Sequence, residues 1–224
     1  MAAREALPAP KFHQAIQARQ RAITVQEHAP GGMTELAQDI RACRACSLQC
    51  HATQAIVGEG PETAKVMIVG EQPGDQEDLA GRPFVGPAGQ LLMGCLEEAG
   101  VAREALYLTN AVKHFRFITN GRRRIHQTPH VEHISACQPW LKREIALVKP
   151  RLIVSLGATA LRAISGPSER LKDVRGTLRA REGEGWAHLS LAHPSWILRL
   201  GSTEQAERER QALIAGLRQI KGVL

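Results

Sequence analysis

The chain has 224 residues, a formal net charge of +7, 43% hydrophobic residues and 23% charged ones. This is an ordinary globular composition, long enough for one domain with a sizeable core or at most two small ones. No stretch nears the roughly 18 uninterrupted apolar residues of a membrane span, no N-terminal apolar run reads as a secretory signal, and no repeat or heptad period is present. The expectation is a non-exported, cytoplasmic, bacterial-type protein whose basic excess suits a polyanionic partner.

Residues 1–32 mix Ala, Arg, Gln and Pro, end in Pro30-Gly31-Gly32, and read as a weakly ordered arm. The folded domain is expected over 33–224, opening with a short helix from Met33-Thr34. Four near-continuous apolar runs of strand length follow: Val66–Val69, Leu106–Thr109, Leu152–Leu156 and Leu189–Ala192. Such runs suit strands covered on both faces. Helical patterns separate or flank them at Ala88–Ala99, Pro129–Val148, Ala158–Ile164 and Thr203–Ile220. The alternation predicts an α/β fold, three layers around a central four-stranded, mainly parallel sheet.

In such sheets ligands bind beyond the carboxyl ends of the strands. Here the first run leads into Gly70-Glu71-Gln72-Pro73-Gly74-Asp75, and the second ends at Asn110. The third leads to Gly157-Ala158-Thr159, and the fourth to His193-Pro194-Ser195. A lone Asn after a strand is usually a turn residue and a lone His a structural one. A carboxylate, a carboxamide and an imidazole meeting at one rim instead point to a catalytic crevice.

Residues 113–124 read K-H-F-R-F-I-T-N-G-R-R-R, with five Lys and Arg side chains, no acid and two of the chain's eight aromatics. A flexible loop of this kind suits a nucleic-acid backbone, the cations neutralising phosphates and the aromatics stacking on bases. His126 ends the cationic run. His130 and His133 follow at helical spacing without an evident carboxylate partner for a metal, and read as surface residues or as a shield for a cluster.

Of the five cysteines, Cys43, Cys46 and Cys50 cluster as C-R-A-C-S-L-Q-C, while Cys95 and Cys137 stand apart. An odd count argues against a disulfide framework. The C-x-x-C pair is half of a metal site, and zinc or an iron–sulfur cluster would both suit it. Cys95 reads as a buried core thiol.

The motifs G-E-Q-P-G-D-Q-E-D (70–78), G-R-P-F-V-G-P-A-G (81–89), T-N-A-V-K-H-F (109–115), R-R-R-I-H-Q (122–127) and H-P-S (193–195) occur in this order. Together they resemble the uracil-DNA glycosylase superfamily, in its iron–sulfur family 4 and 5 branch, and are most similar to the UdgX group, whose members cross-link to DNA. The resemblance covers most of residues 34–221. It implies that Gly70, Gln72, Asp75, Phe84 and Asn110 bind a flipped uracil, Phe84 by stacking and Asn110 by reading the base edge. It implies catalytic roles for Glu71, for His193, which hydrogen-bonds the uracil oxygen, and for His126, which bonds covalently to the deoxyribose. Lys113, Arg122, Arg123, Arg124, Ser195 and Arg199 are expected to contact DNA.

The same resemblance implies a [4Fe-4S] cluster held by Cys43, Cys46, His114 and Cys137, with Cys50 a less favourably spaced competitor. A histidine ligand in place of thiolate raises a cluster's potential. The expected partner is uracil-containing DNA, single-stranded and in some contexts double-stranded, and a monomer suffices. The expected reaction excises uracil and leaves a histidine–deoxyribose adduct. The alternatives are a turnover glycosylase that uses water and a non-catalytic iron–sulfur DNA-binding protein.

Overall fold

In the computed structural model, residues 31–181 and 183–224 are described. The arm expected over 1–32 lies outside them apart from Gly31 and Gly32. Helix α1 (Met33–Arg41) is followed by a 3₁₀ turn at Ser47–Cys50. Strand β1 (Val66–Gly70) then leads to α2 (Asp75–Ala80) and α3 (Pro87–Ala99). Strands β2 (Leu106–Asn110), β3 (Phe117–Asn120) and β4 (Arg123–His126) precede α4 (Val131–Val148). Next come β5 (Leu152–Leu156), α5 (Gly157–Ser165), α6 (Leu171–Val174), β6 (Leu178–Ala180) and β7 (Ala187–Leu191). Helices α7 (Pro194–Arg199) and α8 (Glu204–Arg218) close the fold.

The sheet has the order β2-β1-β5-β7-β6. The first four strands are parallel, and all four were legible as apolar runs. The fifth corrects the four-stranded expectation: β6 pairs antiparallel with β7 at the edge. It is three residues long, Leu-Arg-Ala, and partly exposed, so it carries no apolar run to announce it.

Alternation along the central strands sorts their side chains into two layers. Val66, Ile68, Leu106, Leu108, Val154 and Leu189 pack with Leu92, Leu96, Leu213 and Leu217 of α3 and α8. Met67, Val69, Tyr107 and Ile153 face the other way, against Ile134, Cys137, Leu141 and Ala160 of α4 and α5. Each such side chain, fully buried, contributes about 1.5–3 kcal/mol. Two covered faces explain why these strands are apolar throughout. Local signals set the helix ends: Pro87 opens α3, Gly100 ends it in a left-handed conformation (φ 70°), and the Thr203 hydroxyl caps α8 by accepting from the Ala206 N–H.

The expectation of a flexible basic loop is also corrected. Residues 117–126 form an antiparallel hairpin, β3 with β4, in which Phe117 faces His126 and Thr119 faces Arg124. Gly121, at φ 60°, makes its turn. No helix among the described residues is long and apolar enough to cross a membrane.

Candidate active site

The carboxyl ends of β1, β2, β5 and β7 deliver Glu71, Asn110, Gly157 and His193 to one rim. Two adjoining cavities open there. The smaller, about 300 Å³, is lined by Glu71, Phe84, Asn110, His126 and His193 among others. The larger, about 680 Å³, shares Glu71, His126, His193 and Ser195 and runs out past Lys172, Arg175, Trp196 and Arg199. Residues expected from all five motifs therefore meet around one concavity.

Phe84 is placed by an unusual backbone. Its φ of 58° is in the left-handed region, at a cost of about 1–2 kcal/mol for a non-glycine residue. The buried Glu77 carboxylate holds this loop to the one before it, accepting from Gly74 N at 3.0 Å and Gly86 N at 2.7 Å. Glu77 thus ties the G-E-Q-P-G-D segment to the G-R-P-F-V-G segment. Gly70 is required where the two side chains of the pocket converge. A Cβ there would lie 2.3 Å from Asn110 Oδ1 and 2.8 Å from the Phe84 ring. Asn110 itself is only 4% exposed.

His193 is half-buried, and its Nδ1 accepts from Ser195 N at 3.1 Å and lies 2.8 Å from Ser195 Oγ. Because a backbone N–H can only donate, Nδ1 carries no proton and Nε2 keeps the hydrogen. Burial pushes this imidazole down to about 4, with Arg199 and His126 adding to the effect and Glu71 opposing it. The ring is therefore neutral at physiological pH and offers one N–H donor, suited to a carbonyl oxygen on which charge develops. Arg199 donates to Ser195 Oγ at 3.2 Å and continues this chain to the surface.

Glu71 Oε1 lies 3.3 Å from His126 Nε2, and Glu71 Oε2 accepts from the Thr159 hydroxyl at 2.5 Å. Burial alone would raise this carboxyl. Hydrogen bonds from His126 and Thr159, with the nearby His126 and His193 rings, more than offset it and hold it below the usual carboxylate range. Glu71 is thus an ionised acceptor beside a ring that is 46% exposed to solvent. Gly157, at φ +85°, lets the β5 and β7 ends approach: a Cβ there would lie 3.0 Å from His193 Cβ.

The hairpin reaches this position because its inner face is latched to the domain. Arg124 pairs with Asp78 at 2.5 Å and with Asp75 at 2.5 Å, and its guanidinium lies over the rings of Phe115 and Phe117. Asp78 is fully buried and also accepts from Thr53 N at 3.0 Å. Gln72, expected to touch uracil, lines the smaller cavity and also holds the hairpin's base: its carboxamide accepts from Arg116 N and donates to the Arg116 and Gln127 carbonyls. Asp75 lines the smaller cavity but spends its carboxylate on Arg124.

Two of the expected DNA contacts are corrected by burial and pairing. Lys113 has 0% exposure and pairs with the equally buried Glu144 at 2.6 Å, with further bonds to Thr109 Oγ1 and the Asn110 carbonyl. It cannot meet a phosphate; it braces the end of β2 that carries Asn110. Arg124 is committed to its two aspartates. Arg122 and Arg123 are exposed on the hairpin tip, as a phosphate contact requires. The larger cavity adds Lys172, Arg175 and Trp196, which no sequence signal singled out because they fall in and just after the four-residue helix α6 and in a Trp-Ile-Leu run.

Cys43, His114 and Cys137 are buried at 7%, 4% and 2% exposure, Cys46 is partly buried and Cys50 exposed, all without disulfides. Burial pushes the Cys137 thiol up to about 12, with Cys46 and Cys43 adding to the rise against the Lys113 N–H. Burial likewise raises Cys46, and Cys43 adds to it. Three thiols thus feel one another in a desolvated region, where Trp140 Nε1 and Lys113 N point at the Cys43 and Cys137 sulfurs. Burial pushes His114 down to about 4, leaving a neutral imidazole. Thiols that oppose each other's ionisation, N–H donors aimed at sulfur and a neutral imidazole fit a cationic iron–sulfur centre. They are not gathered to single-ion spacing: among the described residues that holds for His130, Glu132 and His133 alone.

Glu132 is the carboxylate partner that the spacing of His130 and His133 did not reveal, at 3.8 and 3.6 Å from their rings. The group reads as a helix-capping cluster. His133 Nδ1 accepts from the His130 backbone N–H, so its proton sits on Nε2, the nitrogen facing Glu132. Cys95, on the inner face of α3, is fully buried in the core.

The comparisons with known proteins agree with this geometry. Residues 57–217 match the family described as the uracil DNA glycosylase superfamily. The chain is 38% identical over 173 residues to a type-4 uracil-DNA glycosylase of Thermotoga maritima, covering 77% of this chain and 86% of the relative. It is 43% identical over 148 residues to the type-4 uracil-DNA glycosylase of Pyrobaculum aerophilum, with 64% and 72% covered. It is 33% identical over 176 residues to that of Archaeoglobus fulgidus, with 74% and 83% covered. The matched span contains all four strand ends that build the cavity, and the chain belongs to the uracil DNA glycosylase superfamily.

Proposed function

We propose that this chain excises uracil from DNA and captures the resulting abasic sugar on His126. By family the protein is a uracil-DNA glycosylase, an N-glycosidic bond hydrolase of base excision repair. Capture on His126 is carried by a single observation, the His126 ring 3.3 Å from the Glu71 carboxylate at the mouth of the cavity.

The bond to be broken is inaccessible within a base stack, so the nucleotide must be extruded into the smaller cavity. Phe84 stacks on the base. Asn110 complements the O4 and N3–H edge of uracil, whereas cytosine reverses those donors and acceptors. As the bond breaks, charge builds on the leaving uracil, and the Nε2–H of neutral His193 stabilises it. The sugar becomes electron-poor at C1′. The unprotonated ring nitrogen of His126 bonds to C1′, and the proton on its other nitrogen passes to Glu71 and from there to the uracil anion. The products are free uracil and a neutral N-alkylated imidazole joined to DNA, so each molecule acts once.

The cluster implied by the resemblance would be held by Cys43, Cys46, His114 and Cys137, whose chemistry suits it. A bound cluster would cross-link the segment that follows α1, the segment that follows β2, and α4.

The type-4 names of the relatives above favour a second reading, a turnover glycosylase in which water attacks C1′ and the hairpin only binds DNA. On relatives alone that reading is the better supported; the position of His126 supports the first. Incubation with uracil-bearing single-stranded DNA followed by a denaturing gel separates them. A heat- and detergent-stable shifted band supports capture. Uracil released over many turnovers without a band overturns it. His126→Ser is expected to abolish the band and to allow turnover by admitting water.

A further inference from the structure

We propose that Thr159 is a positioning residue for Glu71, its hydroxyl clamping one carboxylate oxygen so that the other is presented to the His126 ring. The proposal rests on the pairing of Glu71 with His126 described above. Thr159 is the third residue of α5, a nine-residue helix that starts at the carboxyl end of β5, and it is 8% exposed. Its hydroxyl donates to Glu71 Oε2 at 2.5 Å, while Oε1 lies 3.3 Å from His126 Nε2. The two oxygens are thereby assigned different partners on different elements.

Three features make the clamp effective. A glutamate side chain has three rotatable bonds, and Glu71 follows the last residue of β1 with nothing else among the described residues bonding Oε2. Threonine is β-branched and stiff about χ1, so its hydroxyl direction is set by the helix. A hydroxyl that donates to a carboxylate also favours the ionised form, as does the first turn of α5. Glu71 in that state can take a proton from the His126 ring but cannot supply one. The contact lies behind the reacting groups, so Thr159 acts through Glu71 and touches neither base nor sugar.

The test uses Thr159→Val, which keeps the shape and removes the hydroxyl, Thr159→Ala as a smaller second variant, and Thr159→Ser, which restores the hydroxyl. Single-turnover rates of uracil release and of adduct formation are followed across pH 5–9 at several DNA concentrations. Loss of a charge-assisted bond is expected to slow adduct formation about 10-fold in the first two variants. The acid limb of their pH profile moves to higher pH, because Glu71 without its donor protonates more readily. The half-saturating DNA concentration stays that of the parent, and Thr159→Ser stays close to the parent rate. Superimposable pH profiles for Val, Ala and parent overturn the proposal, as does a Ser variant as slow as the Val variant. If the parent releases uracil but forms no adduct, capture by His126 fails, and Thr159 is then judged on the pH profile of uracil release alone.

Discussion

Replacing Arg124 by Gln removes the charge that latches the hairpin and keeps most of the stem. Its bond to the fully buried Asp78, at 2.5 Å, is charge-assisted and worth about 1.5–3 kcal/mol. The pair with the half-exposed Asp75 adds about 0–1 kcal/mol, and the stacking on Phe115 and Phe117 about 0.5–1 kcal/mol. Asp78 keeps its Thr53 N–H partner, and Gln72 still holds the hairpin's base, so the domain stays folded while its tip is released. Gln keeps a neutral hydrogen bond to Asp78, so the loss falls at the lower end of these contributions, about 2–3 kcal/mol, or roughly 30- to 150-fold in the docked population. Adduct formation in a rapid-quench assay is therefore expected to fall by one to two decades. Uracil release is expected to change only a few-fold, because Phe84, Asn110 and His193 stand on other elements. Equal losses in both rates would refute this separation, as would an unchanged adduct rate in a folded variant.

Three further outcomes follow from the same geometry. Lys113→Met leaves the Glu144 charge without its counter-ion in the core and is expected to cost about 3–5 kcal/mol in denaturant unfolding, while Lys113→Met/Glu144→Gln, which removes the charge and keeps an acceptor for Gly58 N–H and the Tyr107 and Thr109 hydroxyls, recovers most of it. The double variant's DNA affinity keeps the parent's salt slope, since Lys113 meets no phosphate; a shallower slope would restore it to the DNA interface. Burial pushes His188 down to about 4, with Arg179 and Arg181 adding to it, while an unfolded histidine titrates near 6.5. The unfolded chain thus binds the proton first, and the melting temperature should fall as pH drops from about 6.5 towards 4. His188→Gln should flatten that slope, and an unchanged slope would contradict the assignment. Anaerobically purified protein is expected to contain iron and acid-labile sulfide in equal amounts, both lost in Cys46→Ala; zinc without sulfide would replace the cluster with a single-ion site.

The sheet was legible because its central strands are covered on both faces, which forces continuous apolar runs such as Val66–Val69 and Leu152–Leu156. The edge strand Leu178–Ala180 is three residues long and largely exposed, so it carries no apolar run. The catalytic rim was legible because it lies at strand ends, where polar residues interrupt apolar runs. Roles that depend on which way a side chain turns were not. Lys113 and Arg124 sit in the same basic stretch as Arg122 and Arg123, yet two are exposed and two are committed to carboxylates 31 and 46 positions away in the fold's interior. Nothing local to residues 113–124 names Glu144 or Asp78 as their partners. The contacts of Glu77 and Thr159, both within segments singled out in the sequence, are hidden for the same reason: each reaches another segment that only the folded chain brings near.

The most direct measurement is the intact mass of the protein after mixing with an oligonucleotide bearing one uracil, recorded under denaturing conditions. Capture by His126 predicts a species at the summed mass of protein and oligonucleotide less one uracil, absent in His126→Ser. Protein and intact abasic oligonucleotide appearing only as separate masses would contradict it.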